Sequence, residues 1–74
     1  MPKLPAVSGK NLIRALDRIG FVQKRQEGSH ILLEHPDGRI TVVPIHGKKA
    51  LPKGTLKGIL RDAELTTTQL NSLL

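Results

Sequence analysis

The sequence predicts an α+β fold in which helices cover one face of a three-stranded antiparallel sheet. Two segments, residues 12–19 and 56–63, carry apolar side chains at helical spacing. Three short segments of β-compatible residues lie between them, separated by two turns that contain glycine. A helix, three strands and a second helix form two layers when the helices pack on the same side of the sheet.

The first helix is predicted over residues 9–19. Ser8 suits the N-cap position, because its hydroxyl accepts a hydrogen bond from a free backbone N–H of the first turn. Gly20 suits the end of the helix, because glycine takes positive φ without strain. The apolar side of the helix consists of Leu12, Ile13, Leu16 and Ile19. The other side, either a cationic surface or an ordinary solvated face, carries Lys10, Arg14, Asp17 and Arg18.

Three strands are predicted over residues 21–26, 30–35 and 39–44. A tight turn at residues 27–29 joins the first two strands, and Pro36-Asp37-Gly38 joins the second to the third. Proline fixes φ, aspartate bonds to nearby backbone, and glycine accepts the left-handed conformation that hairpins require. Side chains alternate along a strand, so we expect Ile31 and Leu33 to be buried and His30 to lie on the open face.

The C-terminal part combines a basic loop with two helices. Residues 46–50 lack periodicity and predict a loop in which Lys48 and Lys49 are suited to holding a phosphate. The second helix has apolar residues on one side and, at intervals of four on the other, Lys53, Lys57 and Arg61. Thr66 and Gln69 have the spacing of a capping box, which predicts a short third helix whose leucines pack on the body.

This order of elements is the plan of a small double-stranded-RNA-binding domain. The other face of the sheet is then open, and the third strand carries apolar residues on both of its faces. We therefore expect a partner to cover the open face, or the sheet edge to pair with another chain.

Length, cysteine content and charge limit the possible functions. A chain of 74 residues predicts one domain over residues 1–74 with a thin core. It has no cysteine, which excludes disulfides and thiolate zinc sites and fits a cytoplasmic location. No segment is apolar enough to span a bilayer, so we expect no membrane partner. The formal net charge of +6 favours a polyanion as partner, first nucleic acid and then an acidic protein.

A series of short motifs resembles a known family. In chain order the motifs are Gly20-Phe21, Gly28-Ser29-His30, Pro36-Asp37-Gly38-Arg39, Val43-Pro44-Ile45-His46, Gly54-Thr55-Leu56 and Ile59-Leu60-Arg61-Asp62-Ala63. Their order and spacing over residues 20–65 resemble the HicA-type mRNA interferase toxins of bacterial type II toxin–antitoxin pairs. One position departs from the family pattern, because Glu64 stands where the family often has glycine.

The resemblance implies a toxin of the double-stranded-RNA-binding-like fold, an endoribonuclease that cleaves mRNA and is inhibited by a HicB-type antitoxin. It also implies that His30, in the Gly-Ser-His motif, is the catalytic residue. We hypothesise that His30 acts as general base, because an imidazole exchanges protons near neutral pH. The candidates for contact with RNA are Ser29, Arg39, Lys48, Lys49, Lys53 and Lys57.

Other interpretations fit parts of the sequence. A non-catalytic double-stranded-RNA-binding module would have the same charge pattern, and an acidic protein would fit the same cationic surface. A metal site is not expected, because no characteristic ligand spacing occurs among His30, His35, Asp37 and His46, and no other cofactor is expected. His46 either bonds to backbone and shapes its loop or takes part in catalysis. With one Phe and no Tyr or Trp, the chain is expected to recognise phosphates rather than to stack on bases.

Overall fold

The structure, a computed structural model, describes residues 3–74. Its elements are α1 (Gly9–Arg18), β1 (Val22–Glu27), β2 (His30–Glu34), β3 (Ile40–Pro44), α2 (Lys53–Ala63) and α3 (Thr67–Leu73). The strands form one antiparallel sheet in the order β1-β2-β3. The predicted α+β class and the double-stranded-RNA-binding-like order of elements are confirmed.

The core lies between the helices and one face of the sheet. Ile31 and Leu33 of β2 are buried, whereas His30 is exposed, as the alternation predicts. Phe21, the one Phe in a sequence without Tyr or Trp, is 1% exposed and belongs to this core. The remaining buried apolar residues come mainly from the helices and include Leu12, Leu16, Leu56, Ile59 and Leu70.

The local signals for helix ends are also confirmed. The hydroxyl of Ser8 accepts a hydrogen bond from the backbone N–H of Asn11 at 3.2 Å, as an N-cap does. At α3 the hydroxyl of Thr66 accepts from the N–H of Gln69 at 3.1 Å, and the Gln69 side chain accepts from the N–H of Thr66 at 2.8 Å. This reciprocal pair is the capping box that the spacing predicts.

The first hairpin differs from the sequence prediction at its turn. Glu27, expected in the turn, is the last residue of β1 and pairs with His30, so Gly28 and Ser29 alone form the loop. Gly28 has φ of 59°, and glycine at the first position of a two-residue loop is typical of a type II′ hairpin. Since the short loop suffices to reverse the chain, β1 extends one residue beyond the predicted end.

The sheet also contains an irregularity in β1 that alternation does not predict. Gln23 pairs with Leu33 and Arg25 pairs with Leu32, so Lys24 is an extra residue between two consecutive partners. An extra residue of this kind is a β-bulge, which bends the strand and changes the face to which the following side chains point. Arg25 and Glu27 therefore lie on the open face together with their partners in β2.

The start of α1 packs directly on the end of β3 through Gly9. A Cβ atom added at Gly9 would lie 2.2 Å from the carbonyl oxygen of Pro44, which is closer than real Cβ contacts allow. Only glycine therefore permits this approach of the helix to the strand. The contact places the N-terminus of α1 beside Pro44, the residue that pairs with His30.

We expect Gly9→Ala to destabilise the protein by about 1–3 kcal/mol, because the helix must move away from β3 to accommodate the methyl group. Thermal or denaturant unfolding measures this change. Gly58→Ala is the matched control, because a Cβ at this helical position meets nothing within 4 Å. The control should stabilise the protein by about 1 kcal/mol through its higher helix propensity, and a Gly9→Ala variant as stable as the wild type would contradict the close contact.

We also expect Glu64→Gly to stabilise the protein by about 1 kcal/mol. Glu64 ends α2 in the left-handed conformation, with φ of 55°, which a residue with a Cβ adopts only with strain. A gain of this size raises the unfolding midpoint by about 4–8 °C in a domain of this length. Glu64→Ala removes the charge but keeps the Cβ, so an equal gain in both variants would show that the charge, and not the backbone conformation, is responsible.

Candidate functional site

The Gly28-Ser29-His30 segment holds His30 in a defined position at the start of β2. The carbonyl of Ser29 accepts a hydrogen bond from the backbone N–H of Ile45 at 2.7 Å, which extends the pairing of β2 with β3 by one residue. The next residue after His30, Ile31, is buried in the core. The backbone on both sides of His30 is thus anchored, while its side chain projects from the open face into solvent.

The immediate neighbours of His30 on the open face come from all three strands. Glu27 of β1 lies directly opposite His30, and Pro44 lies opposite on β3. A shallow depression of about 90 Å³ beside the imidazole is lined by Arg25, Glu27, His30, Leu32 and Val42. Nε of Arg25 lies 3.1 Å from Oε1 of Glu27, so a carboxylate and a guanidinium form an ion pair next to the histidine.

Arg25 and Glu27 are not among the site residues predicted from the sequence, since the predicted turn includes residue 27. Simple alternation from Val22 would also point Arg25 and Glu27 to the helix side of the sheet. The bulge at Lys24 reverses this direction. A two-residue Gly-Ser loop would have been enough to predict that Glu27 faces His30, since the residues on either side of such a loop are paired.

Lys48 and Lys49 belong to the loop between β3 and α2, at the same end of the molecule as His30. The loop is anchored to the N-terminal segment, because the N–H of Leu51 donates to the carbonyl of Val7 at 2.8 Å and Ser8 pairs with Ala50. Lys48 lines a concave surface of about 430 Å³ together with Lys10 and Arg14 of α1, and the residues lining it in the described chain 3–74 include no acid. The cationic side of α1 thus adjoins the loop lysines.

Lys53 and Lys57 are exposed on α2, which starts directly after this loop. Contacts made by the C-terminal ends of α1 and α2 show the direction of both helices. Each helix starts at the end of the molecule that carries His30 and runs toward the opposite end. The carbonyl of Ile19, after α1, accepts from His35 at 2.8 Å, and Asp62 of α2 accepts from Thr41 at 2.9 Å. The positive ends of both helix dipoles therefore lie on the side of the molecule that carries His30.

Arg39 lies at the opposite end of the sheet, since Glu34 and Ile40 pair there and His30 pairs with Pro44. The four-residue offset along β2 corresponds to about 13 Å. The guanidinium of Arg39 donates to Asp37 at 2.8 Å and to the carbonyl of Ala63, and it lies 5.1 Å from the ring centre of Phe21. The structure does not bring Arg39 together with His30, and its contact with RNA stays a prediction.

The Asp37 carboxylate helps to hold this distant cluster together. The pKa of Asp37 lies below its ordinary value, first because the backbone N–H of Arg39 donates to the carboxylate and also because Arg39 and His35 place positive charge nearby. The ionised carboxylate compensates the charge of Arg39. His35 stabilises the same region, with its ring edge against Phe21 at 5.1 Å.

Within residues 3–74 no group of three or more His, Asp or Glu side chains is close enough to hold a metal ion. His30 and His35 lie at opposite ends of β2, and His46 is an exposed residue of the loop after β3. In the same part of the chain, no helix is both long and apolar enough to cross a membrane.

Comparison with models of protein families finds a match over most of the chain. The family model described as the HicA toxin of bacterial toxin–antitoxin pairs matches residues 9–65, which is most of the chain. The match begins at the start of α1 and ends just after α2, so it includes the whole sheet and the Gly28-Ser29-His30 turn. No curated protein matches the sequence.

Proposed function

The chain belongs to the HicA toxin family of bacterial toxin–antitoxin pairs, and from this premise we propose that it is an endoribonuclease that cleaves mRNA with His30 as a catalytic residue. The observation that carries the proposal is the position of His30. Its imidazole is exposed on an open sheet face, its backbone is anchored by the Ser29 to Ile45 hydrogen bond, and cations lie at the same end of the molecule. A single domain over residues 1–74 carries this activity.

The proposed reaction is transesterification of RNA without a metal ion or other cofactor. The 2′-oxygen attacks the adjacent phosphorus, the bond to the 5′-oxygen breaks, and the products are a 2′,3′-cyclic phosphate and a 5′-hydroxyl. The 2′-hydroxyl must lose a proton and the 5′-oxygen must gain one. Imidazole, with a reference pKa of about 6.5, is suited to proton transfer of this kind near neutral pH.

The cations near His30 supply the binding energy for the RNA backbone. Lys48 and Lys49 contact phosphates from the loop, Lys53 and Lys57 extend this surface along α2, and the hydroxyl of Ser29 donates to a phosphate oxygen. The chain has one Phe and no Tyr or Trp, and the Phe21 ring is buried, so stacking of bases on these large rings contributes little. Binding is therefore driven by charge and carries weak sequence preference.

A HicB-type antitoxin in the cytoplasm is the proposed inhibitor. To block the reaction it must cover His30 and the Lys48-Lys49 loop. The open sheet face that carries His30 offers an apolar anchor. Val42, in the depression beside His30, is 44% exposed, and Val22 and Ile40, at the far end of the same face, are 47% and 50% exposed. Exposed apolar surface of this kind is typical of protein–protein contacts.

We expect His30→Ala to reduce RNA cleavage by about 10²–10⁴-fold, because it removes one proton-transfer group. The measurement is cleavage of mRNA by purified protein in buffer with EDTA, together with growth arrest after induced expression in bacteria. His46→Ala, which removes the other exposed histidine at this end, is the control and should retain activity. Wild-type cleavage by His30→Ala would contradict the catalytic role of His30, whereas RNA binding without any cleavage by the wild type would favour a non-catalytic double-stranded-RNA-binding module.

We expect Lys48→Gln to lower the salt dependence of RNA binding. Loss of one phosphate contact reduces the slope of log affinity against log salt by about 0.7 for single-stranded RNA. Fluorescence anisotropy with 2′-O-methyl RNA, which cannot be cleaved, measures the slope. Arg61→Gln removes the same charge from the last turn of α2 and should leave the slope unchanged. Equal slopes for the wild type and Lys48→Gln would exclude this phosphate contact.

A further inference from the structure

We propose that Glu27 is the general base of the RNA cleavage reaction and that His30 is its general acid. This inference rests on the proposed function, since it assigns roles within the same reaction. It gives His30 the opposite role from the one expected from the sequence alone. The reason is that the structure places a second proton-transfer group beside the imidazole.

The pairing of β1 with β2 brings the two groups together. Glu27 and His30 are directly opposite each other across the Gly28-Ser29 loop, and both face the open side of the sheet. Cβ atoms of such a cross-strand pair lie about 4.5–5.5 Å apart. A carboxylate and an imidazole at this separation can reach the two sides of one phosphodiester group placed between them.

The bulge in β1 is what makes this arrangement possible. If β1 paired with β2 residue by residue without the bulge, Arg25 and Glu27 would point toward the helices and Gln26 would face His30. A bulge weakens the pairing of a strand, and bulges occur preferentially beside active sites, where they redirect side chains. Here the redirected residues are the carboxylate and the guanidinium that line the depression next to His30.

Arg25 reduces the electrostatic repulsion between the carboxylate of Glu27 and the anionic RNA. Its Nε lies 3.1 Å from Oε1 of Glu27, and the two side chains are 68% and 73% exposed, so both are accessible to RNA. A guanidinium has further N–H donors that can bind a phosphate oxygen while one group stays paired. Arg25 therefore compensates the charge of Glu27 and contributes positive charge at the reacting phosphate.

The division of roles follows from the chemistry of the two groups. A carboxylate carries no proton and can only accept one, whereas an imidazolium can donate one. Glu27 takes the proton of the 2′-hydroxyl as the 2′-oxygen bonds to phosphorus, and His30 gives a proton to the 5′-oxygen as its bond to phosphorus breaks. A proton exchange with water restores both groups after release of the cyclic phosphate.

Glu34 provides a matched control for Glu27. It is also a carboxylate on the open face of the sheet, but it lies at the far end of β2, where it pairs with Val22 and Ile40. Glu27→Gln and Glu34→Gln thus make the same chemical change at the two ends of one sheet face. Thermal unfolding of both variants verifies that the fold is intact.

The experiment uses an RNA oligonucleotide that the wild type cleaves and a second version with sulfur in place of the 5′-bridging oxygen at the cleaved position. A thiolate leaves without a proton, because a thiol has a pKa of about 8.5, far below that of an alcohol. Loss of the general acid is therefore rescued by sulfur, and loss of the general base is not. Cleavage rates of the wild type, His30→Ala, Glu27→Gln and Glu34→Gln are compared on both substrates.

On the natural substrate we expect Glu27→Gln to be slower than the wild type by about 10²–10⁴-fold and Glu34→Gln to equal the wild type. On the sulfur substrate the defect of His30→Ala should largely disappear, and that of Glu27→Gln should persist. Wild-type rates for Glu27→Gln on natural RNA, or its rescue by sulfur, would overturn the role of Glu27 while leaving the nuclease proposal intact. Absence of cleavage by the wild type would overturn the proposed function itself.

Discussion

Burial of Ile31 and Leu33 in the core determines where every side chain of the central strand points. Burying an apolar side chain of this size contributes about 1.5–3 kcal/mol, and a one-residue slip of β2 would expose both residues. The same slip would bury the polar side chains of His30 and Glu34 against a mainly apolar core, which is costly. The pairing register is therefore strongly specified, and it fixes His30 on the open face of the sheet.

The molecule has two ends with different chemistry. At one end the Gly28-Ser29 turn, the start of α1 and the loop after β3 meet, and Lys10, Arg14 and Lys48 line one concave surface there. At the other end Phe21, His35 and Arg39 contact one another or the helix termini, and these contacts hold the helices on the sheet. The distribution explains how a thin core without disulfides stays ordered while Lys48 and Lys49 remain exposed at the end with the Gly28-Ser29 turn.

Most of the fold could be predicted from local signals. The N-cap at Ser8, the capping box at Thr66 and the alternation in β2 each have a short-range physical cause, and the structure confirms all three. Glu64, which departs from the glycine often found at this position in the family, has the left-handed conformation that favours glycine. The exposed position of His30 follows from the same alternation.

The missing parts of the site depend on pairing between strands, which no local signal reports. Alternation along β1 would turn Glu27 away from His30, and only the bulge at Lys24 shows the true direction. Arg39 is a candidate phosphate ligand because of its charge alone. Its guanidinium, however, donates to Asp37 and to the carbonyl of Ala63 at the end of the sheet far from His30. Composition gives the number of cations, and tertiary structure decides which of them face an open surface.

RNA is expected to bind at the end of the molecule that carries His30. Chemical-shift mapping of the isotopically labelled protein with 2′-O-methyl RNA, which cannot be cleaved, locates the bound RNA. We expect shifts of backbone amides at residues 27–30 and 46–50 and at the start of α1, with little change near Gly20 and residues 35–39. Shifts concentrated around Phe21, His35 and Arg39, with none near His30, would contradict it.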